Sequence, residues 1–166
     1  MRKVLAAIDQ LSIWAGKISG FIILVVSLVV VWEVITRYFL HRPTSWAAES
    51  LGLGCAIAYA IGAAWVYQID KHVKIEILYE KATSRVRAGM DVATYFFFLL
   101  YAGMMSWAAG KVGINSLLMR EGSGSPWNPP LYPVKLLFAF GFMILVLQGT
   151  AKFIRDLHFV ATGRKL

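Results

Sequence analysis

Residues 20–36, GFIILVVSLVVVWEVIT, hold one ionisable side chain, Glu33, in seventeen positions. They form the centre of an apolar run over 18–36. Its length is close to the ~20 residues that a helix needs to cross a ~30 Å hydrocarbon core. Three more runs have the same length and character, at 47–67, 92–109 and 131–151. None of the four alternates polar and apolar residues with period two, which speaks against a β-barrel. In lipid a helix satisfies its own backbone N–H and C=O groups, so four helices are the expected form. The predicted fold is an all-α integral membrane protein with four transmembrane helices in one membrane domain, 1–166.

Composition agrees. The 166 residues are 58% hydrophobic and 16% charged, with a mean hydropathy of +0.63. Soluble domains run near 45–50% apolar and about 25% charged. The net charge of +8 would suggest nucleic acid in a soluble protein. Here the charges lie between apolar runs and read as a topology signal, so membrane lipid is the expected partner and nucleic acid is not. Cys55 is the single cysteine, so no disulfide and no paired-thiol metal site can form within the chain.

The first run is read as retained and not as a cleaved signal. It follows a 17-residue leader and ends in Trp32-Glu33, not in a small-x-small cleavage site. The leader places Val4, Leu5, Ile8, Leu11 and Ala15 at helical spacing, which predicts a short amphipathic helix in the membrane interface. The leader, the 68–91 loop and the C-terminal tail together carry twelve Lys and Arg, and the opposite side carries five. By the positive-inside rule both termini are expected in the cytoplasm. The segment 68–81, QIDKHVKIEILYEK, has an apolar and a charged side, and is expected to lie on the cytoplasmic interface between spans two and three. The segment 110–130, GKVGINSLLMREGSGSPWNPP, is expected as an outward loop. Pro130 and Pro133 flank the start of the fourth span, where a missing N–H costs little.

Within the second run Gly54, Ala58 and Gly62 fall four apart, and Ala56, Ala60 and Ala64 do the same beside them. Small residues at that spacing let helices approach closely in lipid; the partner helix could lie in this chain or in another. Glu33 and Arg37 are spaced to meet on one helix face. Glu49 is expected in the first turn of the second span, suiting the positive helix end, with Thr44 or Ser45 as cap. Lys135 sits near the outer end of the fourth span and Gln148 near its inner end. No ionisable group sits at mid-membrane, where a proton or ion relay would need one. His41, His72 and His158 lie outside the spans. No metalloprotease, nucleophile-elbow or phosphate-loop motif is present. No catalytic residue, cofactor or metal is expected, and the chain reads as a membrane element serving something else.

Several motifs in order carry a resemblance. They are Thr36-Arg37-Tyr38-Phe39 leaving the first span, then Ser45-Trp46-Ala47-Ala48-Glu49 opening the second and Gly62-Ala63-Ala64 closing it. After these come His72-Val73-Lys74-Ile75-Glu76-Ile77-Leu78, basic Arg85 and Arg87, and Ser125-Pro126-Trp127-Asn128-Pro129-Pro130 followed by Gln148. Over roughly 30–155 the chain resembles the small, Q-type membrane subunit of tripartite ATP-independent periplasmic (TRAP) transporters. It departs from the family in lacking a proline in Lys81-Ala82-Thr83-Ser84-Arg85. The resemblance implies a non-enzymatic subunit of the bacterial or archaeal cytoplasmic membrane. Such a subunit braces a large permease subunit that takes up an organic acid delivered by an extracytoplasmic solute-binding protein, driven by an ion gradient, usually sodium. Arg37, Trp46, Glu49, Gly54, Ala58, Gly62, His72 and Gln148 are the expected partner-interface residues. The rival reading is a self-sufficient, dimeric, proton-coupled small multidrug-type exporter, for which Glu33 would be the membrane carboxylate.

Overall fold

A computed structural model describes residues 2–69 and 83–163, with the backbone alone at Ser84 and Arg85. The four apolar runs lie in four α-helices: α1 (Arg2–Tyr38), α2 (Ser45–Gln68), α3 (Ser84–Leu118) and α4 (Tyr132–Thr162). All four are long and apolar enough to cross a membrane, and the protein is a multi-pass membrane protein. The amphipathic segment with His72, and Arg164 and Lys165, lie outside the described residues.

All four helices are longer than their apolar runs, α2 by only a few residues. At about 1.5 Å per residue, the 37 residues of α1 make a rod of roughly 55 Å. The leader is helical, as its spacing predicts, but it runs on into the first span without a break. The third helix likewise continues to Leu118, so the first part of the expected outer loop is helical. The reason is local: KVGINSLL contains no helix breaker stronger than one glycine, and the breakers start at Gly122-Ser123-Gly124. Between α1 and α2 the chain turns at His41, whose φ is 53°. Helix α4 opens with a proline in its first two positions, as expected, and stops at Gly163. The φ of 71° there suits a residue without Cβ, and its N–H closes the helix on the Phe159 carbonyl at 2.9 Å.

The helices pack in the spatial order α1, α2, α4, α3, with α1 also touching α4. Burial follows that order. In the most apolar stretch of each helix, 28% of α2 and 39% of α4 are buried, against 6% each for α1 and α3. The core joins Ala15, Ile61, Ala64, Ala102, Ile144 and Leu145. Its small side chains reflect close backbones, the usual source of helix affinity in lipid.

The two small-residue rows of α2 serve two neighbours. Ala58, Gly62 and Gly54 face α1: the Ser19 hydroxyl donates to the Ala58 carbonyl at 2.7 Å, and Ser19 and Val26 fill the space beside Gly62 and Gly54. Ala60 faces α4, where a Cβ on Gly141 would lie 2.5 Å from the Ala60 backbone. Only glycine permits that approach. The close helix partners of α2 are therefore in this chain.

Candidate functional site

Polar side chains gather at the two ends of the bundle, and the helices between them are apolar. At the end expected to face outward, called the outer end, Glu33 joins α1 to the entry of α2. Arg37 donates to its Oε1 from Nη2 at 2.5 Å and from Nε at 3.0 Å, which realises the i,i+4 pair. The backbone N–H of Thr44 donates to Glu33 Oε2 at 3.2 Å, and the Thr44 hydroxyl donates to the same oxygen. Thr44 is the residue preceding α2, but its side chain makes no capping hydrogen bond. The expected cap is corrected: Glu33 takes the hydroxyl instead. Beside this pair a shallow cleft of about 260 Å³ lies between α1 and α2, with Glu33, Arg37, Ala47 and Leu51 on its walls.

Glu49 also differs from expectation. It is the fifth residue of α2, and no acidic residue occupies the first turn. Its carboxylate instead accepts from the Ser123 hydroxyl at 3.3 and 3.4 Å. That contact holds the outer loop over the start of α2. The loop is built on itself: Leu131 N–H donates to the Glu121 carbonyl at 2.9 Å, Ser123 N–H donates to the Pro129 carbonyl at 3.1 Å, and Gly122 bridges Pro130. Lys135 donates to Glu121 at 2.5 Å. The Lys135 ammonium holds the Glu121 carboxyl below its ordinary range. Trp46 is half-buried beside this region.

The inner end is tied more deeply. Gln148, 1% exposed, accepts from the Ser12 hydroxyl at 2.9 Å and donates to Asp9 at 3.0 Å. Arg155, two helical turns further on, grips both oxygens of Asp9 at 3.1 and 2.6 Å and reaches the Leu5 carbonyl at 3.3 Å. Toward α3, Lys152 pairs with Asp91 at 2.9 Å, and Tyr95 meets the Thr150 hydroxyl at 2.9 Å. The Tyr95 ring stacks on Phe153 at 4.1 Å. Helix α4 is thus fastened to α1 by Gln148 and Arg155 and to α3 by Thr150, Lys152 and Phe153.

Of the expected interface residues, Arg37 and Glu49 sit at the outer end with Trp46 nearby. Gln148 is enclosed at the inner end, and Gly54, Ala58 and Gly62 are covered by α1. Sequence reasoning passed over Asp9, Ser12, Asp91, Lys152 and Arg155. Lys152 and Arg155 entered only as counted positive charges. Their spacing with Gln148, four and then three residues apart, was the available signal for one polar face on α4. Among the described residues no group of three His, Cys, Asp or Glu side chains could hold a metal ion.

What this arrangement can do is hold four helices in fixed register at both ends of the bundle. Both oxygens of Glu33 are engaged. No curated protein matches the chain. Residues 26–159 match the family described as tripartite ATP-independent periplasmic transporters, DctQ component. With most of its length covered by that match and four helices able to cross a membrane, the chain belongs to the DctQ-component family of tripartite ATP-independent periplasmic transporters.

Proposed function

We propose that this chain is the small permease subunit of a secondary active transporter in the cytoplasmic membrane of a bacterium or archaeon. In this reading it braces a large permease subunit that takes up an organic acid, with energy from an ion gradient such as sodium. A solute-binding protein outside the membrane delivers the acid. The observation that carries the reading is the separation of the polar ties from the apolar middle. Ion pairs join α1 and α3 to α4 at one end and hydrogen bonds from Thr44 and Ser123 tie the other, while α1 and α3 leave most of their apolar surface uncovered. A rigid element with free apolar flanks suits a scaffold, and substrate chemistry then resides in the partner.

Within this proposal Arg37, Trp46 and Glu49 contribute at the outer end of the assembly and His72 at the inner end. Gly54, Ala58, Gly62 and Gln148 contribute indirectly, by fixing the brace itself. The exporter reading needs a membrane carboxylate free to exchange protons. Glu33 is near the outer end of α1 and bound by Arg37 and Thr44, which weighs against it.

The test is co-expression with the large permease encoded beside this gene. The wild-type chain is expected to co-purify with that subunit and to be required for uptake of a carboxylate. Arg37→Ala and Glu49→Ala are expected to weaken recovery of the complex or reduce uptake. Proton-coupled drug export by the chain reconstituted alone would overturn the proposal.

A further inference from the structure

Helix α1 has two faces with different fates. Leu5, Ser12, Gly16 and Val26 are buried against the rest of the chain. On the other face Val4, Ala7, Leu11, Trp14, Ile18 and Phe21 follow one another three and four residues apart, and the same spacing continues to Ile35. Every one of these positions is apolar and exposed. A 3–4 repeat is the seam pattern of two helices packed side by side at a shallow angle.

Lipid can cover only part of this seam. A bilayer core accommodates about 20 helical residues, and the apolar run of α1 begins at Ile18. Trp14, with the Lys17 ammonium 5.0 Å from its ring centre, marks the inner headgroup level. At about 1.5 Å per residue, Leu11, Ala7 and Val4 lie roughly 10, 16 and 21 Å beyond Ile18. The headgroup layer is only about 5–7 Å thick. Val4, 63% exposed, therefore stands where water would meet an uncovered apolar seam.

Charge selects among protein occupants. The inner part of the seam is flanked by Lys3, Gln10 and Lys17, seven apart and all exposed. Two copies of this chain share one orientation in a membrane. A two-fold pair through α1 would bring Lys3 and Lys17 of both copies together. No acidic side chain of α1 answers them, because its two carboxylates, Asp9 and Glu33, are engaged with Arg155 and Arg37. Like charges along a seam work against pairing.

We propose that this stripe is the docking surface for a helix of the large permease subunit. That helix follows α1 through the bilayer and on past its inner face, and carries Asp or Glu beside Lys3 and Lys17. The inference rests on the small-subunit reading above and adds the face and the chemistry of the partner.

The experiment places the photo-cross-linker p-benzoylphenylalanine in the chain within the co-expressed complex. The positions are Leu11 below the bilayer, Leu28 within it, and Phe97 and Ile114 on α3. Ile114 is the matched comparison, an exposed apolar residue beyond the other span. Cross-links to the large subunit are expected from Leu11 and Leu28 and not from α3. Cross-links from α3 alone, or from α1 only to a second copy of this chain, overturn the inference and leave the subunit role standing. Failure of the wild-type chain to associate with the large subunit at all overturns both. Leu11→Lys lies outside the hydrocarbon and so spares insertion. It is expected to lower recovery of the large subunit at least tenfold, and unchanged recovery counts against the proposal.

Discussion

Gln148 has both ends of its amide satisfied in a site closed to solvent, by Asp9 and Ser12. Replacing it by leucine removes both hydrogen bonds and strands the Ser12 hydroxyl. The expected loss is about 1–2 kcal/mol of stability, the usual range for a buried polar tie in a membrane bundle. Thermal unfolding in detergent reads it, and combining Gln148→Leu with Ser12→Ala should cost less than the sum of the two. Glu121 gives a pH signature. Its carboxyl is held below the ordinary value by Lys135. The stabilisation is therefore fully present above the unfolded pKa and is lost as pH falls through the depressed folded value. Melting curves from pH 7 down to 3.5 should show the wild type losing an advantage over E121Q at the acid end. The Glu33–Arg37 pair was legible in the sequence because helix geometry relates residues four apart. The Asp9–Arg155 pair was not, since its partners are 146 residues apart and no local rule joins them.

At the scale of the element, the apolar runs revealed where helices cross but not where they end. Hydropathy falls once charged residues appear, yet helical spacing continues through the leader of α1 and past 109 in α3. The small-residue rows of α2 announced close contact, while the identity of the neighbour depended on tertiary order. Two glycines separate these effects. Gly141→Ala would press a Cβ onto the Ala60 backbone. The α2–α4 contact must then open, at an expected cost of about 1–3 kcal/mol for overpacking. Gly52→Ala meets nothing within 4 Å, and helix propensity alone should leave the isolated chain unchanged or stabilise it by up to about 1 kcal/mol. Parallel thermal melts of the two variants provide the comparison.

At the scale of the whole molecule, the structure brings Asp9 and Arg155 together, so the described ends of the chain meet at one end of the bundle. By the positive-inside rule that end is expected to face the cytoplasm. In a Cys55→Ala background, a cysteine at Ser125 should react with a membrane-impermeant maleimide from outside, and one at His158 only after the membrane is opened. The reverse pattern would mean an inverted chain. Four spans were legible in the apolar runs along the sequence. Their spatial order was not, because hydropathy carries no information about which helix lies beside which.

The order α1, α2, α4, α3 also bears on how the chain is made. Each hairpin, α1 with α2 and α3 with α4, is a neighbouring pair in sequence and in space. The halves meet along α2 and α4, where Gly141 lies against Ala60. During synthesis the third helix leaves the ribosome before its main neighbour exists, so assembly amounts to docking two finished hairpins. Two separately translated polypeptides, 1–82 and 83–166, should therefore find each other in the membrane and restore the function of the intact gene.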